Sequence, residues 1–355
     1  MNFNEKIMLK CIELAKKGKD NVHPNPMVGS VIVFENEIIG KGYHQKYGEN
    51  HAEVNAINSV SDKRKLKEST IYINLEPCSH YNNTPPCADL IIKHKIKNVI
   101  IGIKDPFHLV SGNGIKKLKK HCNVLIGVCE KECKELNHRF IIRNKYKRPF
   151  IILKWAQSSD GFINGENYRE GITKISSKES HELSHYWRSK EDAIMVGKNT
   201  LLYDNPLLTV RYLKGKNPKR VILNKKCELP ETLNIFNNDS ENIIISDLIM
   251  KKTYSKDISK IIFLDFKKEN FILNLMKELY KKNINSIIIE GGEQLINNFL
   301  KKGLWDEIRY FSSPMKIKKG IKAPNLSYLK TVNSYEEYKK IGNDELYVIK
   351  NLDII

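Results

Sequence analysis

The sequence predicts two α/β domains in series, each a sheet with helices layered on it. Three observations carry that reading. Short β-branched runs alternate with amphipathic segments in both halves. A chain of 355 residues is long for one hydrophobic core. The alternation breaks once, at Asn144-Lys145-Tyr146-Lys147-Arg148-Pro149, which is polar, ends in proline and precedes a fresh strand. The boundary is placed there, giving domains 1–147 and 148–355.

In the first half, Ile7, Met8, Cys11, Leu14 and Ala15 recur at helical spacing, so Glu5 to Lys17 is read as a helix. Val28 to Phe34 and Glu37 to Gly42 are strands joined by a turn at Glu35-Asn36. His51 to Val60 is a helix with Asn50 as its N-cap. Thr70 to Leu75 and Asn98 to Ile103 are strands flanking a helix from Ala88 to Lys95. Ile115 to Lys120 and Val124 to Val128 continue the alternation, and a helix from Glu130 to about Phe140 closes it. In the second half, strands are expected at Phe150 to Trp155, Ala193 to Val196, Arg220 to Leu223, Ser286 to Glu290 and Glu345 to Leu352. Helices are expected at Lys178 to Arg188, Phe271 to Lys281 and Leu295 to Leu300. Cys227 to Lys260 is rich in Asn and Lys and carries no readable period.

Composition narrows the function classes. No apolar run approaches the length of about 18 residues that crosses a bilayer, and Met1 to Lys10 lacks the apolar core of a signal peptide. A cytoplasmic protein without a membrane partner is expected. The formal net charge is +19, but only nine of the basic residues are Arg and 51 are scattered Lys. Nucleic-acid surfaces concentrate Arg and interleave aromatics, so a solvated basic surface is the reading, with no nucleic-acid partner. Such a charge favours encounter with phosphorylated small molecules. The seven cysteines form no disulfide framework in a cytosolic chain. Cys11, Cys122 and Cys227 are read as core fillers, and Cys129 and Cys133 as packing residues of one helix.

His51-Ala52-Glu53, with Pro77-Cys78 and Cys87 downstream, is the constellation that names a chemistry. One imidazole and two thiolates hold a zinc ion tetrahedrally with one position open, which is the catalytic pattern. Glu53 is kept as the base that moves a proton between the nucleophilic water and a leaving amine. Cys87 follows Pro85-Pro86 and opens a helix, whose dipole favours its thiolate. A structural zinc would need a fourth donor, for which His80, His44 and Cys122 are the candidates.

Zinc deaminases of nucleic-acid bases place two residues between their cysteine ligands, whereas here eight intervene, Ser79 to Pro86. With Leu75-Glu76-Pro77-Cys78-Ser79-His80 and Thr84-Pro85-Pro86-Cys87, the chain resembles the bifunctional riboflavin-biosynthesis deaminase–reductase family. His23-Pro24-Asn25-Pro26, Val28-Gly29 and Gly42-Tyr43-His44 carry the same resemblance. It implies a cytidine-deaminase-like three-layer α/β/α domain followed by a dihydrofolate-reductase-like α/β domain. It also implies zinc at His51, Cys78 and Cys87, Glu53 as catalytic proton shuttle, and pyrimidine contacts at Asn25 and His80. One departure lies at Asp105-Pro106-Phe107-His108, where the family carries Asp-Pro-Asn-Pro.

Read alone, the second half shows a turn at Ser158-Ser159-Asp160-Gly161 and a Gly291-Gly292 pair where backbone amides can approach a phosphate. The resemblance adds more, through Asp192-Ala193-Ile194-Met195-Val196-Gly197, Asp204-Asn205-Pro206, Leu208-Thr209-Val210-Arg211 and Ile288-Ile289-Glu290-Gly291-Gly292. It implies NADPH contacts at Ala156, Thr200, Asp204, Gly291 and Gly292. It implies substrate contacts at Arg188, Leu208, Arg211 and Glu290, the two guanidinium groups being suited to a sugar phosphate. Asn164 to Gly171 departs from the shorter family segment. The expected activity is deamination of a diaminohydroxy-pyrimidine carrying a phosphoribosylamino group, then reduction of the ribosyl group to ribityl, in a homo-oligomer. The competing readings are a nucleic-acid base deaminase with a basic appended domain and a non-enzymatic structural-zinc module.

Overall fold

The computed structural model describes residues 1–19, 21–79, 85–106, 111–167, 173–237, 239–247, 259–329 and 332–353. His80, Phe107 and His108 lie outside the described residues, as do parts of the 164–171 and 227–260 segments. The chain divides into two compact units, Met1–Lys147 and Arg148–Ile355.

The first unit runs α1 (Phe3–Lys16), β1 (Gly29–Phe34), β2 (Glu37–Tyr43), α2 (Ala52–Ser59), β3 (Thr70–Leu75), α3 (Cys87–Lys93), β4 (Asn98–Ile103), α4 (Asn113–Leu118), β5 (Asn123–Ile126), α5 (Glu130–Leu136) and α6 (His138–Tyr146). Its five strands are ordered β2-β1-β3-β4-β5. β1 is antiparallel to both β2 and β3, while β3, β4 and β5 are parallel. Glu35 and Asn36 join β1 to β2 with φ of 48° and 63°, the mirror-image turn whose twist suits a hairpin. Alternation along the strands feeds two cores. Ile71, Ile73, Val99 and Ile101 pack with Ala56 and Ile57 of α2, Ala88 and Ile91 of α3, and Ile115 and Leu118 of α4. Tyr72 and Ile100 face the other way, onto Ile7, Met8, Cys11 and Ile12 of α1 and Cys133 of α5. The result is three layers, α/β/α.

Two sequence readings of this unit are corrected. The single helix expected from Glu130 to about Phe140 is two, broken at Asn137, whose buried side chain is drawn off to clamp the backbone of Met27. Its Oδ1 accepts from Met27 N at 2.8 Å and its Nδ2 donates to Met27 O at 2.9 Å. The pattern expected to break at Asn144 stays helical, since α6 continues to Tyr146, with Ile142 and Asn144 turned inward.

The second unit runs β6 (Phe150–Ser158), β7 (Phe162–Gly165), α7 (Lys178–Lys190), β8 (Ala193–Gly197), α8 (Lys198–Asp204), β9 (Lys219–Leu223), β10 (Asn242–Asp247), β11 (Ser259–Leu264), α9 (Phe271–Lys281), β12 (Ser286–Ile289), α10 (Glu293–Lys301), β13 (Glu307–Ser313), β14 (Gly320–Lys322), β15 (Ser334–Ile341) and β16 (Asp344–Asn351). Nine strands form one sheet, ordered β11-β10-β9-β8-β12-β6-β13-β16-β15. It is parallel from β11 to β13 and ends in the antiparallel pair β16 and β15. One face buries Ile151, Leu153, Met195, Val221, Ile287 and Ile289 under α9 and α10. α7 differs, because its buried positions are polar: Ser180, Ser184, His185 and Arg188. The chain enters this unit on a buried ion pair. Arg148 Nη1 and Nη2 donate to Asp306 at 2.6 and 2.8 Å, and Asp306 Oδ2 also accepts from Ile151 N at 2.7 Å. Among the described residues, no helix is long and apolar enough to cross a membrane.

Candidate active site

In the first unit, three chain elements bring their ends to one point. His51 is the N-cap of α2, with extended backbone angles, and its side chain makes no capping bond. Asn50, expected as the cap, instead uses its carbonyl to accept from His44 Nδ1 at 3.0 Å. Freed from capping, the His51 ring turns to the two thiols. Cys78 follows β3, and Cys87 is the first residue of α3. Cys87 Sγ lies 3.3 Å and Cys78 Sγ 3.6 Å from His51 Nδ1, and Cys87 N donates to Cys78 Sγ at 3.3 Å. Ligand bonds of about 2.3 Å to sulfur and 2.0–2.1 Å to nitrogen at a tetrahedral angle require N···S edges of about 3.5 Å. Both N···S edges therefore suit a zinc ion held by these three residues. Among the described residues, His51, Cys78 and Cys87 are the cluster able to hold a metal ion. His44 is engaged at both ring nitrogens, by Asn50 O and by Asn25 Nδ2 at 3.0 Å. Cys122 packs against the hydrophobic core.

Glu53 sits in the first turn of α2, 3% exposed. Burial, reinforced by the Cys78 sulfur, lifts its carboxyl to about 7, so it can both take and give a proton near neutrality. The hydrogen bond with Cys78 lifts His51 to about 8. The hydrogen bond from Cys87 draws the Cys78 thiol down to about 4 against burial, with His51 adding to the effect.

Two supports were not read from the sequence. Glu76, 3% exposed, accepts from the backbone N of Asp105 at 3.1 Å and Gly112 at 3.0 Å through Oε2, and from Ile115 N at 3.0 Å through Oε1. It ties the start of α4 to the Pro77-Cys78 segment. Gly114 completes the fit, since a Cβ there would lie 2.2 Å from Pro77 O. Asn74 is the second support, accepting from Gly29 N at 2.7 Å and donating to Met27 O at 3.0 Å. Asn25, expected at the pyrimidine, holds the His44 ring.

In the second unit, the carboxyl ends of neighbouring parallel strands gather the sequence-predicted residues. β12 lies between β6 and β8, so Glu290-Gly291-Gly292 follows beside Ala156 of β6 and the β8–α8 junction at Gly197. Ligands of open α/β sheets bind at this end of the strands. Gly292 is the N-cap of α10 and Gly197 that of α8, and a Cβ at either would meet nothing within 4 Å. Packing does not require these glycines, and the open backbone amides suit the phosphates of a dinucleotide. Thr200 and Asp204 lie on α8, and burial raises the Asp204 carboxyl.

Arg188 and Glu290 are brought together as partners of one another. Nε and Nη2 donate to Oε1 and Oε2 at 3.0 and 2.6 Å. The Nε–Nη2 face of Arg188 is thus occupied by Glu290. Arg211 is exposed, and its backbone N donates to His185 Nδ1 at 3.1 Å. Leu208 is buried with φ of 54°. Lys154 was missed, although a lysine inside Phe150-Ile151-Ile152-Leu153-Lys154-Trp155 is a signal in itself. Its Nζ lies 3.6 Å from Glu290 Oε2, and burial lowers its pKa, with Arg188 acting the same way against Glu290. Burial pushes Glu290 up, but Arg188 and Lys154 outweigh it and hold the carboxyl at about 2.

Three clustered metal-donor side chains beside a buried acid, followed by an α/β unit whose parallel strands end in glycine-capped helices, are the features of a zinc deaminase fused to a reductase. Comparisons with known proteins agree. The cytidine and deoxycytidylate deaminase zinc-binding region matches residues 1–103, and the RibD C-terminal domain matches residues 149–319. The riboflavin biosynthesis protein RibD of Aquifex aeolicus is 37% identical over 346 residues, covering 96% of this chain and 94% of that protein. RibD of Escherichia coli is 31% identical, with 88% of each chain covered. The crystal structure of a diaminohydroxyphosphoribosylaminopyrimidine deaminase/5-amino-6-(5-phosphoribosylamino)uracil reductase from Thermotoga maritima superposes with a TM-score of 0.84 at 33% identity, covering 98% of this chain and 99% of that one. The chain belongs to the RibD family of riboflavin-biosynthesis proteins.

Proposed function

We propose that His51, Cys78 and Cys87 hold the zinc of the deaminase, that Glu53 is its proton shuttle, and that unit 1–147 carries this step while unit 148–355 carries the reductase. The chain is a bifunctional, zinc- and NADPH-dependent deaminase–reductase of riboflavin biosynthesis. The substrate read for it is the diaminohydroxyphosphoribosylaminopyrimidine named for the Thermotoga relative. The observation that carries the site assignment is the pair of N···S distances at His51, 3.3 and 3.6 Å.

Zinc, when bound, supplies the Lewis acidity that makes water nucleophilic at neutral pH. Glu53, lifted to about 7, accepts the proton of the attacking water and returns it to the departing ammonia. In the second unit NADPH supplies the hydride. Glu290 holds Arg188 and Lys154 in place, and exposed Arg211 remains available to the sugar phosphate. Self-association of the chain belongs to the same proposal, supported by the open sheet edge at β15.

The test is Glu53→Gln, assayed separately for ammonia release and for NADPH oxidation on deaminated substrate. Deamination is expected to fall by at least about a hundredfold, the lower end of general acid–base contributions, with zinc content and NADPH oxidation retained. Loss of stoichiometric zinc would make Glu53 a ligand and overturn the assignment.

A further inference from the structure

Between α8 and β9, residues 205–218 form neither helix nor strand, so no ladder fixes the backbone that carries Arg211. Side chains fix it instead. Val210 N donates to Asn217 Oδ1 at 2.8 Å, and Arg211 N donates to His185 Nδ1 of α7 at 3.1 Å. Leu208, just before them, is buried at φ 54°, a conformation that a leucine keeps only where its surroundings determine it. The loop also runs close along α7, since a Cβ at Gly215 would lie 2.7 Å from Ser189 Cβ.

His185 and Arg188 stand three residues apart on α7 and share one face of the helix. From that face Arg188 holds Glu290, and His185 holds the backbone of Arg211. The His185 ring is fully buried, and the Tyr212 ring meets it edge-on at 4.7 Å. A backbone N–H can only donate, so Nδ1 is bare and the neutral ring carries its proton on Nε2. Nε2 is buried and meets no hydrogen-bond partner among the described residues. A buried donor left unpaired costs stability, which sets this ring apart from a packing residue. The charged and titratable groups facing it are His181 and Arg188 of α7, Arg211 itself and Glu290. Burial first, and then the cations, hold the ring uncharged.

We propose that His185 is a positioning residue of the reductase: by accepting the Arg211 N–H, it fixes the turn from which the Arg211 guanidinium reaches the phosphate of the substrate. In this role His185 touches neither substrate nor cofactor and acts through Arg211. The inference rests on the reading of Arg211 as the phosphate-binding group.

Two variants of the full chain separate positioning from packing. In His185→Asn the amide oxygen takes the place of Nδ1, bonded to the same side-chain atom. His185→Gln keeps more of the ring's volume but carries its oxygen one bond further out. A packing role makes Gln the better replacement, and a positioning role makes it Asn. The KM for deaminated substrate, followed by NADPH oxidation, is expected to rise about tenfold in His185→Gln with kcat little changed, the scale of one hydrogen bond's net contribution. In His185→Asn it should stay near the wild-type value. The KM for NADPH and the rate of ammonia release should move in neither. In an Arg211→Ala background, which itself raises the KM, His185→Gln should add nothing, because the guanidinium it places is gone. In the unaltered chain, nitrogen NMR of the imidazole should report the Nε2-protonated tautomer. An unchanged KM in His185→Gln, an equal rise in His185→Asn, effects that multiply in the double variant, or an Nδ1-protonated ring would each overturn the positioning role. An Arg211→Ala chain with the wild-type KM would instead overturn the reading of Arg211 on which it rests.

Discussion

Replacing Glu76 by Gln removes one negative charge and no volume, and tests how the loop that carries the start of α4 is held against the metal-ligand segment. In the native chain, one carboxylate accepts three backbone N–H groups, from Asp105, Gly112 and Ile115. In its better orientation the amide oxygen keeps two of these and the amide nitrogen faces the third. One charge-assisted bond is lost with its donor left buried, at roughly 2 kcal/mol, and two others weaken from charged to neutral, at roughly 1 kcal/mol each. A loss of about 4 kcal/mol follows, or about 2 M in urea midpoint for an m value of about 2 kcal/mol/M. The two units can be followed separately, because Trp155, Trp187 and Trp305 all lie in the second. Far-UV circular dichroism should show an early transition in Glu76→Gln while the tryptophan fluorescence midpoint stays at its wild-type value. Amide exchange at Gly112 and Ile115 should accelerate. A midpoint shift equivalent to less than about 1 kcal/mol would refute the assignment of Glu76 as the loop's anchor, since even one lost bond to a charged group exceeds that.

Asp306→Ala leaves Arg148 buried without its counter-charge and should lower the stability of the second unit by about 3–5 kcal/mol. The tryptophan fluorescence midpoint measures it, and an unchanged midpoint would contradict the burial of the pair. His185 is fully buried, and burial, with Arg188 and Arg211 nearby, lowers it to about 3. Its folded pKa lies below its unfolded value of about 6.5, so below pH 6.5 only the unfolded chain gains its proton. Stability then falls by about 1.4 kcal/mol per pH unit from roughly 6 towards 3, and His185→Gln should flatten this slope by that amount. Equal slopes would mean that His185 titrates normally. Chelation of zinc should stop ammonia release and spare NADPH oxidation on deaminated substrate; parallel loss of both would contradict separate sites.

The fold was most legible where burial follows a simple period. Thr70–Leu75, Asn98–Ile103 and Phe271–Lys281 were bounded by sequence as the structure has them. β13 and β15 were not found, since Glu307–Ser313 mixes charge with apolar residues and Ser334–Ile341 buries no face. The break at Asn137 depends on Met27, more than a hundred residues earlier, which no local window contains. The triad was readable because zinc demands a small choice of donor types at one point. Glu76 sat in the same motif unread, its three partners being backbone groups 29 to 39 residues away. Arg188 and Glu290 were each assigned to substrate, and only the fold shows that they hold one another.

The ion pair of Arg148 with Asp306 bears on where the gene can be cut. Residues 149–319 match the family domain, and a start at Pro149 would look natural. Such a fragment lacks the guanidinium that neutralises Asp306, a carboxylate with no exposed surface, so it would begin life with an orphan anion under its first strand. A reductase half expressed from Arg148 retains that partner. One codon separates a fragment that keeps the ion pair from one that loses it.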